Sequence, residues 1–288
     1  MAVLIPYARQ VRSWLAHRKG APVVTSPYVP FPPGARPRLR IAVAGDVGDR
    51  GRGVQRTGAA VARLARVAED QWDVLLLLGD AVYPAGNPDR LGATVFDPFG
   101  PVLDGGAELL AVLGNHDVKG RRVHELVARL GMPGRWWARR LGDLLLVGLD
   151  STRPRDAVQR AWLEEVLTEA GSDARWKVVA LHHPPWSAGY QGSDVRAREA
   201  FVPVFERAGV HLVLSGHEHD YQRSVPLAGV TYVVSGGASR TRRTGEAEFT
   251  AVSASWPHFV ELAVFDDRLE GRAVGVDGRV GDTWTIRS

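Results

Sequence analysis

The run ELLAVLGNHD, residues 108–117, decides the fold. Glu108–Leu113 is apolar, has the length of a buried strand, and breaks at Gly114 into the polar cluster Asn115-His116-Asp117. The same figure recurs along the chain. Leu39–Ala44 runs into Gly45-Asp46, and Asp73–Leu78 into Gly79-Asp80. Trp176–Leu181 runs into His182-His183, and Val210–Leu214 into Ser215-Gly216-His217-Glu218-His219. Strand ends of an α/β sheet converge on one edge, where sites are usually built. Five of the nine histidines sit in these clusters, so that edge is the candidate site.

Helical patterns separate the strands at about 54–69, 157–170 and 195–208, while 136–140 and 144–149 read as paired strands around a Gly-Asp turn. Residues 84–106 are rich in Gly and Pro and read as irregular. From Val230 onward the pattern is mostly strand. Alternating helix and strand followed by strands predicts an α/β fold in which two sheets pack together with helices outside.

The 288 residues carry 36 Lys+Arg against 32 Asp+Glu, with a pI near 9.7. That balance suggests a polyanion binder until its distribution is examined. Seven of the basic residues lie in 1–40, which contain no acid, leaving 29 basic against 32 acidic groups in the body. The acidic body argues against nucleic acid as the partner. Residues 1–20 place Leu4, Tyr7, Val11, Trp14 and Leu15 at helical spacing among arginines, and 21–38 are dense in proline. The expected organisation is a basic, Pro-rich arm at 1–38 and one domain at 39–288. The arm's first 20 residues suit either peripheral contact with an anionic membrane or a strap packed on the body. No apolar run approaches the roughly 20 residues needed to span a bilayer, and the N-terminus lacks the order of a secretory signal. A cytoplasmic location is expected. Zero cysteines exclude disulfides, thiolate metal sites and a Cys nucleophile.

Carboxylates, imidazoles and an amide without thiolates suit hard or borderline metals such as Fe, Mn and Zn. Two such ions can clamp a phosphate and activate water at neutral pH. No Gly-x-Ser-x-Gly elbow and no phosphate loop competes.

Together the clusters resemble the signature of the calcineurin-like metallophosphoesterases, and most closely that of the purple acid phosphatase branch. The matching motifs are Asp46-Val47-Gly48, Gly79-Asp80-Ala81-Val82-Tyr83, Gly114-Asn115-His116-Asp117, Val179-Ala180-Leu181-His182 and Gly216-His217-Glu218-His219. The resemblance covers about residues 39–240. It implies a four-layer α/β/β/α metallophosphoesterase fold, a two-sheet β-sandwich flanked by helices. It also implies a dinuclear-metal phosphoesterase in which a metal-bound hydroxide attacks phosphorus directly, on a small phosphate ester and preferably a monoester. The implied ligands of one metal are Asp46, Asp80, Tyr83 and His219. Those of the other are Asp80, Asn115, His182 and His217, with Asp80 bridging. Many relatives outside the purple branch have a His ligand where this chain has Gly48, and here Tyr83 would take over. A phenolate favours Fe(III) at the Tyr83 site, with Fe(II), Zn or Mn at the other.

By the same resemblance, His116 would face the substrate. Smaller animal-type relatives carry a further His nine residues after His182. That position is Gln191, which donates a hydrogen bond but no proton near neutral pH. Leaving-group protonation then either falls to His116 or His183 or matters less, and the relatives' acid optimum is not carried over. Asp117 is expected to fix its loop, and Asp150 either to orient a ligand or simply to make a turn. The competing readings are a phosphodiesterase or nuclease and a non-catalytic metal-binding relative. Oligomeric state is not legible in the sequence.

Overall fold

The computed structural model describes residues 25–171 and 173–287. The strands are β1 (Ser26–Pro27), β2 (Leu39–Ala44), β3 (Val74–Leu77), β4 (Glu108–Ala111), β5 (Trp137–Leu141), β6 (Leu144–Gly148), β7 (Trp176–Leu181), β8 (Leu212–Ser215), β9 (Tyr221–Ser224), β10 (Thr231–Ser235), β11 (Thr250–Ala254), β12 (His258–Val264), β13 (Arg268–Gly275) and β14 (Arg279–Arg287). The helices are α1 (Arg52–Ala68), α2 (Asp97–Leu103), α3 (Val123–Arg129), α4 (Ala157–Glu165) and α5 (Val195–Arg207). The first sheet has the order β1-β14-β13-β12-β2-β3-β4, the second β11-β9-β10-β8-β7-β6-β5. Strands β2, β3 and β4 run parallel in the first sheet, and β6, β7, β8 and β10 in the second.

Residue alternation sets the layers. In the second sheet Leu144, Leu146, Val178, Ala180, Leu212 and Leu214 face the first sheet. Their neighbours Leu145, Val147, Val179, Leu181 and Val213 face the opposite way, onto Leu163 of α4 and Phe201 and Phe205 of α5. Helix α1 buries Val54, Val61 and Leu64, and α2 packs along it. Two tryptophans stitch the sheets together: Trp137 Nε1 donates to the Ala111 carbonyl (2.7 Å) and Trp176 Nε1 to that of Phe265 (3.0 Å). This is the two-sheet sandwich with flanking helices expected from the sequence.

The stretch expected to be irregular, 84–106, is a correction: it holds α2, preceded by a wide helical turn at Gly92–Phe96. Val95, Phe99 and Val102 recur at spacings of four and three and are buried. Pro98 sits in the first turn, where its missing N–H costs nothing. Helix α3 and strand β9 were also not foreseen.

The described part of the arm lies on the first sheet. β1 pairs with β14, the Phe31 ring meets that of Phe265 at 5.2 Å, and the Arg272 guanidinium covers Phe31 at 3.7 Å. The helix expected over residues 1–20 lies outside the described residues. Among the described residues no helix is long and apolar enough to cross a membrane.

Candidate metal centre

Five parallel strands end at one edge and deliver the candidate ligands. Asp46, Asp80 and Asn115 follow β2, β3 and β4 of the first sheet, while His182, His217 and His219 follow β7 and β8 of the second. Among the described residues, five non-glycine positions have φ well above zero. Three of them are Asp46 (61°), Asp80 (53°) and His217 (70°). Side chains disfavour that conformation, and it persists where the surroundings over-determine it. Here they do. The His217 N–H donates to Asp46 Oδ2 and the His116 N–H to Asp80 Oδ1, each at 2.8 Å. The Gly48 N–H donates to the Asp80 carbonyl (2.9 Å) and the Tyr83 N–H to that of Gly48 (3.1 Å). A Cβ on Gly48 would stand 2.7 Å from both the Asp80 carbonyl oxygen and the Tyr83 nitrogen. This backbone therefore has no room for a His at position 48 while Tyr83 is seated as it is.

The donors form two groups. In one, Tyr83 Oη lies 2.8 Å from Asp46 Oδ1 and 3.1 Å from His219 Nε2, with His219 Nε2 3.3 Å from the same carboxylate oxygen. In the other, His182 Nε2 lies 3.1 Å from Asn115 Oδ1 and 3.2 Å from His217 Nδ1. Asp80 joins them: its Oδ2 is 3.5 Å from His182 Nε2, and Asp46, Asp80 and His182 bring donor atoms within 4.8 Å of one another.

These contacts test whether cations fit. His182 Nδ1 donates to the Leu78 carbonyl (2.8 Å), so its Nε2 presents a bare lone pair. That lone pair faces an amide oxygen and a carboxylate oxygen, which are also acceptors. Among the described residues the ion-pair partners of Asp46 and Asp80 are all histidines. Lone pairs aimed at one another in a buried site are repulsive until a cation sits among them. The residues fit two metal ions.

The electrostatics agree. Burial, then the charges of Asp46 and Asp117, push Asp80 up to about 9. Burial also raises Asp46, but His219, His182 and His217 outweigh it and hold Asp46 near 2. One of two crowded carboxylates thus resists ionisation while no cation joins them. Burial and the same carboxylates lift the Tyr83 phenol far above its usual range. Burial lowers His217 to about 4 and keeps His182 well below the ordinary imidazole value, so both are neutral, as ligation requires.

The other expected site residues are placed as follows. His116 bonds through Nδ1 to the Pro84 carbonyl (2.6 Å) and packs edge-on to the Tyr83 ring at 4.7 Å. Lys119 Nζ is 3.3 Å from His116 Nδ1, and burial followed by Lys119 lowers the His116 pKa. Asp117 accepts from Gly114 N (2.9 Å) and Val82 N (3.2 Å), tying two ligand loops together. Asp150 pairs with Arg135 (2.7 Å) and caps Thr152 (3.0 Å), so it shapes the turn after β6. Gln191 turns its amide to the His217 carbonyl (3.4 Å). His183 bonds to Ser151 (3.0 Å), and its ring lies tilted at 56° against that of His217, with centroids 4.5 Å apart.

Three contributors escaped the sequence reading. Arg240 lays its guanidinium 4.7 Å from the centroid of the Tyr83 ring. Glu218, fully buried, accepts from the Gln191 N–H (2.5 Å) and so holds the Gln191 loop. Ser151 is the partner of His183. The one signal for Arg240 was its place in 236–256, an arginine-rich segment following the His219 cluster.

A two-sheet sandwich with this donor set at its strand ends is that of a metal-dependent phosphohydrolase. The chain belongs to the calcineurin-like phosphoesterase family, which matches residues 39–221, and it lies on the purple acid phosphatase-like side of that family. Purple acid phosphatase 4 of Arabidopsis thaliana is 25% identical over 80% of this chain and 76% of its own length. The structure of a purple acid phosphatase from yellow lupin superposes with a TM-score of 0.76 at 18% identity, covering 91% of this chain and 55% of that one. A 75-residue stretch is 40% identical to an uncharacterized protein of Mycobacterium tuberculosis. The match covers 25% of this chain and spans 14% of that relative's length.

Proposed function

We propose that this protein hydrolyses small phosphate esters, monoesters in preference to diesters, with two metal ions held at the strand ends. The observation that carries this reading is the pair of acceptor groups facing each other across Asp80, whose carboxylates have no Lys or Arg paired to them among the described residues. Asp46, Asp80, Tyr83 and His219 would hold one ion, and Asp80, Asn115, His182 and His217 the other. Bound there, the ions supply Lewis acidity to the phosphoryl oxygens and lower the pKa of the attacking water. The Tyr83 phenol loses its proton only to a strongly acidic cation, which favours Fe(III) at its site, with Fe(II), Zn or Mn at the other.

The protein's own groups do the rest. Lys119 and Arg240 stand beside His116 and Tyr83 at the exposed side of the site, where their charge suits a dianionic monoester better than a monoanionic diester. His116 and His183 offer imidazole to the phosphoryl or leaving oxygen. Gln191 offers an amide hydrogen bond and no transferable proton.

The test joins metal analysis, a visible spectrum, and hydrolysis of an aryl phosphate monoester against the matching diester. Two metals per chain, a visible tyrosinate–Fe(III) band lost in Tyr83→Phe, and faster monoester turnover are expected. A colourless, active Mn or Zn protein would remove the iron assignment and keep the esterase. Tight binding of two metals with no turnover of either ester would leave a non-catalytic relative.

A further inference from the structure

His182 and His183 are neighbours in sequence, and both bring a ring nitrogen within 4.8 Å of a ligand atom of His217. By proximity alone, His183 could be a third imidazole ligand. The hydrogen bonds around Ser151 decide otherwise. A serine hydroxyl has one hydrogen and two acceptor lone pairs. Ser151 is buried, and its Oγ accepts from two backbone groups, the His182 N–H at 3.2 Å and the His183 N–H at 2.9 Å. Both lone pairs are then occupied. The remaining contact of Oγ is His183 Nδ1, at 3.0 Å. The hydroxyl hydrogen goes there, so Nδ1 is an acceptor and the neutral ring carries its proton on Nε2. A nitrogen that bears hydrogen has no lone pair for a metal. His182 is the opposite case: its Nδ1 donates to the Leu78 carbonyl and leaves Nε2 bare.

We infer that Ser151 is a positioning residue that locks His183 in the Nε2–H tautomer, which makes His183 a hydrogen-bond donor to a phosphate-ester oxygen and not a metal ligand. Gln191 commits one amide N–H to the His217 backbone carbonyl, and His183 adds a donor to the one that remains. Its substrate-facing part rests on the phosphoesterase reading; the tautomer and the metal count do not.

The first measurement is a long-range proton–nitrogen spectrum of the zinc-loaded full chain, with His183→Gln identifying the His183 signals. A proton on Nε2 is expected, and one on Nδ1 overturns the inference. The second is metal content. His183→Gln and His183→Phe are expected to keep the wild-type number of metals per chain, and loss of one metal overturns the inference. The third is turnover of an alkyl phosphate, whose leaving oxygen needs hydrogen bonding more than an aryl one. His183→Phe is expected to lower kcat roughly 100-fold with little change in KM, and His183→Gln, which keeps an N–H, to recover most of it. Ser151→Ala is expected to lower kcat and Ser151→Thr to restore it. An unchanged kcat in both His183→Phe and Ser151→Ala overturns the donor assignment. If the wild type turns over no phosphate ester, the functional reading fails, and the spectrum still judges the tautomer.

Discussion

Two buried polar networks share strand β2, one at each end. Past its C-terminal end, Asp46 joins Asp80, Asp117 and the imidazoles of His182, His217 and His219. At its N-terminal end, Arg40 is buried against the fully buried Glu261, with Nη2 to Oε1 at 2.7 Å and Nε to Oε1 at 3.1 Å. Tyr28 donates to the same oxygen (3.2 Å), Arg272 stands 3.6 Å from the other, and the Arg40 guanidinium lies over Trp72 at 4.2 Å. The second network carries its own counter-charges. Among the described residues the first pairs its Asp46 and Asp80 only with histidines, and three of its backbone positions are held in a disfavoured conformation. A buried cluster of acceptors that lacks a paired Lys or Arg among the described residues is a candidate binding site; one that is neutralised internally is scaffold.

The largest expected effect separates the two outright. Asp80→Asn removes the shared carboxylate and should lower phosphatase turnover by roughly 10³-fold or more, since several kcal/mol of transition-state stabilisation depend on the metals. Metal analysis and kinetics together check this, and a metal-loaded, active Asp80→Asn protein would break the site assignment. In the wild type, added metal should raise stability by about 2.7 kcal/mol at a hundred times its Kd, and thermal melts should show that increment missing in Asp80→Asn. Glu261→Ala should do the reverse. It strips the buried Arg40 guanidinium of its close carboxylate and leaves Asp70, at 3.9 Å, as its acidic partner, which should cost about 3 kcal/mol in denaturant unfolding, while the folded fraction keeps its metals and its kcat.

His258 belongs to neither network and serves as a control. It is buried, bonded to Ser235 (3.1 Å) and to the Trp256 carbonyl (2.8 Å), and burial lowers it to about 4. Its unfolded value is near 6.5, so the unfolded chain takes up the proton first as pH falls. Its contribution is complete above about pH 6.5 and is lost as pH falls toward 4, on the order of a few kcal/mol. Unfolding of the wild type between pH 7 and pH 5 should therefore steepen relative to His258→Gln. The smallest effect belongs to the arm. Tyr28→Phe removes one hydrogen bond to the Glu261 carboxylate and should cost about 1–2 kcal/mol without touching turnover.

Much of the candidate metal centre was readable because each candidate ligand follows closely on the end of a strand. Alternation and a glycine turn marked those ends in Leu39–Asp46 and Glu108–Asp117 alike. Helix α2 was hidden because Gly and Pro dominate its composition, while its burial depends on packing against α1. Arg240, Glu218 and Ser151 were invisible for a related reason: each acts on a residue between 27 and 157 positions away, through contacts that no local pattern encodes.

Donor chemistry, the two-sheet α/β class and the edge where the donors meet are written locally in the chain, because strand, turn and candidate ligand are contiguous and their periodicity is local. How those donors are used depends on contacts that form when the chain folds. Two adjacent histidines take opposite tautomers because one meets the Leu78 carbonyl and the other a saturated serine hydroxyl. Likewise, of two buried charge clusters on one strand, folding brings Glu261 and Arg272 to Arg40 and, among the described residues, pairs Asp46 and Asp80 only with histidines. Tautomer and charge compensation depend on which atoms lie within about 3–4 Å, the range of hydrogen bonds and ion pairs, and for these residues those atoms come from distant parts of the chain.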